Sequence, residues 1–234
     1  MEDRFPHLDE TVVATARYLA SLSALTDEDV RRPSVLPGWT RSHVIAHLSR
    51  NADALTNVLH GAQAGELRSQ YPSAAQRDAD IEESAGQSLA ELRADAIASA
   101  GRWVQAANEL HTSRLEAQGS WVPGSPPYPV RRVGRMRRTE VEVHHADLGI
   151  GYTAADWPQE FVDLLLDRRA SQLESADQAL VLELTDRGES REIGTGGPTV
   201  SGSTADVLWW LLGRGGGTGV TCSSGQLPDL GKWA

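Results

Sequence analysis

Histidine and glycine divide this 234-residue chain between them. All seven histidines (His7, His43, His47, His60, His111, His144 and His145) lie before residue 150, and thirteen of the 22 glycines lie after it. At roughly 150 residues per domain, the length suits one large domain or two small ones. The split places the boundary near residue 150, with a His-bearing domain over 1–150 and a Gly-rich one over 151–234.

The first part reads as helices. Asp9 to Leu22 carries Val12, Val13, Ala16, Leu19 and Ala20 at helical spacing, which predicts that this face turns inward. Leu36-Pro37-Gly38-Trp39-Thr40 is a turn, with Thr40 as N-cap of a helix from Arg41 to about Gly61. On that helix Val44, His47, Leu48, Asn51, Leu55, Val58 and Leu59 share one broad face. Pro72 to Glu83 suits a short helix. Ser88 to Leu110 suits a longer one, with Leu89, Leu92, Ala96, Trp103 and Leu110 inward. Gly119 to Pro129 is rich in Pro and Gly and reads as a loop; Val130 to Leu148 is again helical, ended by Gly149. Four long helices joined by turns make a four-helix bundle the simplest architecture for 1–150.

The second part changes period. A helix from Pro158 to about Leu173 precedes two strands, 179–184 and 198–202, around a Gly-containing turn. Ser203 to Leu212 is a compact apolar helix, Gly215-Gly216-Gly217 a flexible turn, and Val220-Thr221-Cys222 another strand. The fold class expected is α+β, a helical bundle followed by a small α+β domain.

Composition narrows the function. Lys plus Arg total 22 against 32 Asp plus Glu, a net charge of -10, which disfavours nucleic acid and anionic membrane surfaces as partners. No apolar run approaches the ~20 residues that span a bilayer. Met1-Glu2-Asp3-Arg4 leads into no apolar segment, so no signal peptide is expected and the expected compartment is the reducing cytoplasm. A single cysteine, Cys222, excludes an internal disulfide and a thiolate-rich zinc site. It falls in a predicted strand, where a buried inert thiol is expected rather than a nucleophile. Any metal must be held by His, Asp or Glu.

Those residue types do cluster. Val133, Met136, Glu140, His144 and Asp147 follow one face of the helix after the connector, and Glu140 and His144, four apart, project from adjacent turns. His47 lies on the inward face of an earlier helix, and in a bundle such faces meet. Together His47, Glu140 and His144 make a His₂-carboxylate set, which leaves one coordination position open as catalytic zinc sites do. Asp147 is placed to accept the proton on the other nitrogen of His144, and Asn51, one turn beyond His47, to face the same cavity. Spacing alone keeps a plainer reading open, in which an inward His is a satisfied core group; Glu-x-x-x-His arises often by chance. His43 and His145 are expected on a helix flank or behind the ligands. Arg131, Arg132, Arg135, Arg137 and Arg138 are expected mostly as a solvated flank paired to acidic neighbours. Arg214 is a cation in a Gly-rich turn suited to gripping an anion.

Three stretches carry a family likeness. Leu36 through Leu48 resembles the segment that bears the first metal-binding histidine in mycothiol-dependent maleylpyruvate isomerases. Arg138 through Gly149 resembles the segment with the other two ligands. Ser201 through Gly215 and Ser224 through Pro228 resemble the C-terminal domain of that family. The resemblance spans essentially the whole chain. It implies a DinB-like four-helix bundle with a small α+β domain, a divalent metal (usually zinc) on His47, Glu140 and His144, mycothiol as thiol cosubstrate, and a functional arginine at Arg214. Two positions depart from the family: Glu142 and His145 stand where aromatic or apolar residues are common.

The resemblance also implies a reaction. Maleylpyruvate must rotate about a C=C bond to become fumarylpyruvate. Reversible thiolate addition makes that bond single, and the metal would hold the thiol deprotonated, so the protein needs no cysteine of its own. Arg214 would stabilise a substrate carboxylate or the developing enolate. A mycothiol S-transferase on the same scaffold and a non-enzymatic metal-binding bundle are the alternatives. The expected partners are a small-molecule substrate and the thiol, and the expected state is a monomer.

Overall fold

A computed structural model describes residues 5–231, so the polar start Met1 to Arg4 lies outside the described residues. The chain divides into two compact units, Met1–Ile150 and Gly151–Ala234. Among the described residues, no helix is long and apolar enough to cross a membrane. The fold is α+β.

The first unit is built on helices α1 (Leu8–Leu22), α2 (Asp27–Arg31), α3 (Arg41–Ala64), α4 (Ala74–Ala85), α5 (Leu89–Glu109) and α6 (Val133–Asp147). Helix α3 packs on α5 and α6, α1 packs on α6 and α5, and α4 lies against α3. The apolar faces expected of α3 and α5 are both buried, because each presents aliphatic side chains every three to four residues.

Helix α1 differs from expectation. Its buried face is Leu8, Thr11, Ala14, Thr15, Tyr18 and Leu22, while Val12 and Val13 are 39% and 58% exposed. Small residues and one large ring let α1 approach α6 closely. Thr11 tolerates burial because its hydroxyl donates to the carbonyls of His7 (2.6 Å) and Gly134 (3.2 Å). Aliphatic periodicity therefore pointed to the wrong side of this helix.

Helix α3 begins at a modified capping box. Thr40 is the N-cap, and His43 takes the place usually held by Glu or Gln: the Thr40 amide donates to His43 Nδ1 at 3.3 Å. His43 Nε2 then meets Glu82 of α4 at 3.1 Å. His43 is thus a cap and a tether between helices.

The connector between α5 and α6 is more ordered than a loop. It contributes β2 (Gln118–Ser120) and β3 (Tyr128–Pro129), which join β1 (Arg68–Ser69) in a small sheet of order β1-β2-β3. Gly119 belongs there because a Cβ would lie 2.4 Å from Val58.

In the second unit, α7 (Gln159–Ser175) precedes a four-stranded sheet of order β5-β4-β6-β7, formed by β4 (Leu180–Leu184), β5 (Glu189–Ile193), β6 (Thr199–Gly202) and β7 (Val220–Cys222). Strands β4 and β6 are parallel, and the outer pairs are antiparallel. Strand β5 replaces the expected turn. Its Glu-Ser-Arg-Glu-Ile sequence buries only Ile193, so it has an edge strand's polarity and no alternating apolar signal. Helix α8 (Thr204–Leu211) is capped by Ser203, whose hydroxyl accepts from the Asp206 amide at 3.2 Å. The turn after α8 is not loosely built: Gly213, Gly215, Gly216 and Gly217 all have positive φ, a run that favours glycine. Cys222 is half-buried rather than buried, with Sγ 3.2 Å from Ser224 Oγ.

Candidate metal centre

Helices α3 and α6 bring the three candidate ligands together. His47 Nε2 lies 2.9 Å from Glu140 Oε2, and His144 Nε2 lies 3.4 Å from the same oxygen. One donor atom from each residue falls within 4.8 Å of the others. Ligands at about 2.1 Å in a tetrahedral site stand about 3.4 Å apart, so this spacing fits one divalent ion with little movement. Two imidazoles and a carboxylate suit zinc and its neighbours in the first transition row. Side-chain exposure rises from 4% at His47 through 12% at His144 to 31% at Glu140, so the site opens toward solvent on the Glu140 side.

The surroundings give each ligand a distinct charge state. Burial, reinforced by the nearby His144 charge, lowers the His47 pKa to about 4, so this ring is neutral at physiological pH. Burial alone would raise Glu140, but hydrogen bonds from His144 and His47 outweigh it and hold the carboxyl well below its ordinary value. His144 is likewise disfavoured as a cation by burial, yet Asp147 and Glu140 overcome that and raise its pKa. Asp147, wholly buried, places Oδ2 2.8 Å from His144 Nδ1. Once the Nε2 proton is displaced, that contact would keep the remaining proton on Nδ1 and leave Nε2 for the shared centre, as carboxylates do beside metal-binding imidazoles.

A pH dependence follows. Since the folded His144 pKa is raised above 6.5, the ring holds a proton that a metal must displace, and affinity should climb as pH rises through that raised value. Zn²⁺ titrations at pH 6 and pH 8 are expected to show tighter binding at pH 8. At pH 6 they should also release protons, seen as a calorimetric heat that depends on buffer ionisation enthalpy.

Several neighbours were not singled out by sequence. Trp39 packs against His47, with ring centroids 5.6 Å apart, and stacks on His43 at 6.1 Å. Arg137 was expected on a solvated flank but is 2% exposed; it donates to the Leu48 carbonyl (2.7 Å) and Asn51 Oδ1 (2.8 Å). Arg138 is buried as well, whereas Arg131 and Arg132 are exposed. Helix α6 is enclosed on most sides, so its charges cannot all reach water. Asn51 is buried, with its carbonyl oxygen committed to Arg137. Tyr71 and Arg77 also adjoin the ligands: Arg77 Nη2 lies 3.3 Å from His47 Nδ1, and the guanidinium stands 5.9 Å from the Tyr71 ring centroid. An isolated Tyr and Arg outside the ligand helices carry no spacing signal, so sequence patterning could not find them.

The two departures from the family pattern face α1. Glu142, 1% exposed, is paired with Arg17 at 3.3 Å; His145 Nε2 lies 2.9 Å from Ser21 Oγ and its ring packs edge-on to Tyr18. His145, expected on a flank or behind the ligands, is instead a buried packing residue. Arg214, in the second unit, is half-buried, and its Nη1 donates to the Leu212 carbonyl at 2.7 Å.

Fold and donor set together define an α+β protein with a candidate His₂Glu metal centre in its helical unit. The family model described as the mycothiol maleylpyruvate isomerase N-terminal domain matches residues 13–149. The chain belongs to the mycothiol-dependent maleylpyruvate isomerase family. Two crystal structures of the mycothiol-dependent maleylpyruvate isomerase, one of a histidine-to-alanine mutant, are similar to it over 97% of this chain and 95% of theirs, with 29% identity and a TM-score of 0.87. No curated protein matches the sequence.

Proposed function

We propose that this protein is a mycothiol-dependent cis–trans isomerase that converts maleylpyruvate to fumarylpyruvate. The observation that carries the reading is the convergence of His47, Glu140 and His144 on one centre, in a chain that belongs to this family. A bound divalent metal, zinc by its donor set, would supply the positive charge that keeps a coordinating thiol deprotonated near neutral pH. The protein's own residues do the remaining work. His47, Glu140 and His144 would hold the ion through two imidazoles and a carboxylate. Asp147 fixes the tautomer and direction of His144, and Trp39 shields the His47 side of the centre from water.

The substrate's double bond blocks rotation until its order falls. Thiolate addition forms a C–S bond and moves the π electrons onto the adjacent carbonyl oxygen as an enolate. Rotation about the resulting single bond follows; return of the electron pair restores the C=C bond in the trans form and expels the thiolate. No proton, oxidant or second product is required. We assign Arg214 to stabilising a substrate carboxylate or that enolate, and Asn51 to the thiol-binding side of the site.

Arg214→Ala is expected to retain the wild-type metal content and lose turnover by about 100-fold or more, the scale on which removing a donor to a developing oxyanion acts. Wild-type turnover in this variant would reduce Arg214 to a turn residue. The reading itself is tested by omission. Maleylpyruvate should be stable when either mycothiol or the metal is withheld from the protein and should be consumed when both are present. Consumption without the thiol would defeat the proposal.

A further inference from the structure

The two histidine ligands are backed by opposite kinds of partner. His144 Nδ1 lies 2.8 Å from the Asp147 carboxylate, an acceptor, whereas His47 Nδ1 lies 3.3 Å from Arg77 Nη2. A guanidinium has donors only. In the Arg77 contact, Nδ1 of His47 must therefore offer its lone pair, and the ring proton sits on Nε2, facing Glu140 Oε2 at 2.9 Å. A neutral imidazole that gives its Nε2 lone pair to a metal carries its proton on Nδ1. Two N–H groups would then point at one another. The Arg77 contact and ligation through Nε2 exclude each other, while the Asp147 contact and ligation by His144 reinforce each other.

Arg77 keeps other partners when it leaves His47, a hydrogen bond to the Tyr71 side chain among them. It sits on α4 with its side chain 23% exposed, and its Nη1 pairs with Asp78 Oδ1 at 2.7 Å. Asp78 is 68% exposed, so that pair holds the guanidinium weakly. The Tyr71 ring beneath it offers a face on which the cation can stay at the edge of the centre.

We propose that Arg77 is a carboxylate clamp released by the metal: ligand formation by His47 ejects the guanidinium from Nδ1, and the freed fork grips a carboxylate of the substrate beside the metal. The class of ligand is a small dicarboxylate, which rests on the isomerase reading above. The coupling between Arg77 and the metal rests on the His47 contact alone. A bidentate guanidinium–carboxylate pair in a partly dry site is worth about tenfold or more in affinity.

The test uses the full-length protein and Zn²⁺, with maleate as the dicarboxylate probe. Zinc affinity is measured by competition with a chromophoric chelator, and maleate binding to the zinc-loaded protein by calorimetry, for wild type, Arg77→Ala and Arg77→Lys. Arg77→Ala should bind zinc more tightly than wild type, because no donor holds His47 in the opposing tautomer. Its zinc-loaded form should bind maleate about tenfold or more weakly. Arg77→Lys, which keeps the charge and loses the fork, should fall between on maleate and carries the test if the alanine variant does not fold. Weaker zinc binding in Arg77→Ala, equal maleate affinity in all three proteins, or no maleate binding to zinc-loaded wild type would each overturn the proposal. If the isomerase reading alone is wrong, these binding differences persist while mycothiol-dependent isomerisation is absent.

Discussion

His47→Ala is expected to abolish metal binding and thiol-dependent turnover together. The candidate centre offers three protein donors, and this variant leaves only Glu140 and His144, both on α6. Removing a residue that merely orients a ligand already costs about 10–100-fold in metal affinity. Removing a ligand should exceed that, so the loss should be more than about 100-fold. His47 would contribute Nε2 from α3, opposite Glu140, and no other His, Cys, Asp or Glu among the described residues joins the cluster to replace it. Equilibrium dialysis against Zn²⁺, read beside the circular dichroism of the metal-free proteins, separates ligand loss from misfolding. Full metal occupancy in a folded His47→Ala protein would rule out the triad as the metal site. His43→Ala provides the contrast. It should keep the metal and lose about 1 kcal/mol of stability with its cap.

Gly134→Ala should destabilise the fold by about 2 kcal/mol, and its sign is informative. Gly134 lies in the first turn of α6, where alanine would ordinarily stabilise a helix by about 0.8–1.0 kcal/mol relative to glycine. Here an added Cβ would stand 2.0 Å from the Pro6 carbonyl oxygen and 3.2 Å from the Phe5 ring. Non-bonded heavy atoms prefer about 3.5 Å or more, so the backbone must shift by over 1 Å. Overpacking of this kind costs about 1–3 kcal/mol and occasionally more. Two responses are open. The Phe5–Leu8 segment can lift away, exposing Phe5, which packs edge-on to Trp103, and Leu8. Alternatively α6 can move against α1, carrying Glu140 and His144 with it. Urea denaturation measures the total, and zinc affinity distinguishes the responses. It is unchanged if the terminal segment yields and weakened if α6 moves. A more stable Gly134→Ala protein would show that the close approach of α6 to the terminal segment is wrong.

The same packing explains which features were legible in sequence. On α3 and α5, burial is accomplished by large apolar side chains at helical spacing, so Val44, Leu48, Leu55, Leu92 and Trp103 announce their faces. On α1 the close contact with α6 is made through Thr11, Ala14 and Tyr18, and hydrophobicity selects the exposed Val12 and Val13 instead. Strand β5 is hidden for a related reason, since an edge strand needs only one buried residue, Ile193.

The candidate metal ligands divide in the same way. Glu140 and His144 are legible as a pair because helical geometry fixes their mutual position. Their meeting with His47 is a tertiary fact, which the sequence could suggest only through its likeness to a family. The buried Arg137 runs against the rule that cations stay in water. It is tolerated because the Leu48 carbonyl and Asn51 accept its hydrogen bonds, and no local pattern encodes that compensation. Arg77 acquires its meaning only from the atom it touches, Nδ1 of His47.

Isomerase and thiol transferase differ in whether the added thiol leaves the substrate again. The most direct measurement is proton NMR of the products when the zinc-loaded protein acts on maleylpyruvate with a sub-stoichiometric amount of mycothiol. Complete conversion to fumarylpyruvate is expected, with the vinyl protons showing trans coupling and the free thiol recovered intact. A stable thioether conjugate limited by the amount of mycothiol, with no fumarylpyruvate, would contradict it and make the protein a thiol transferase.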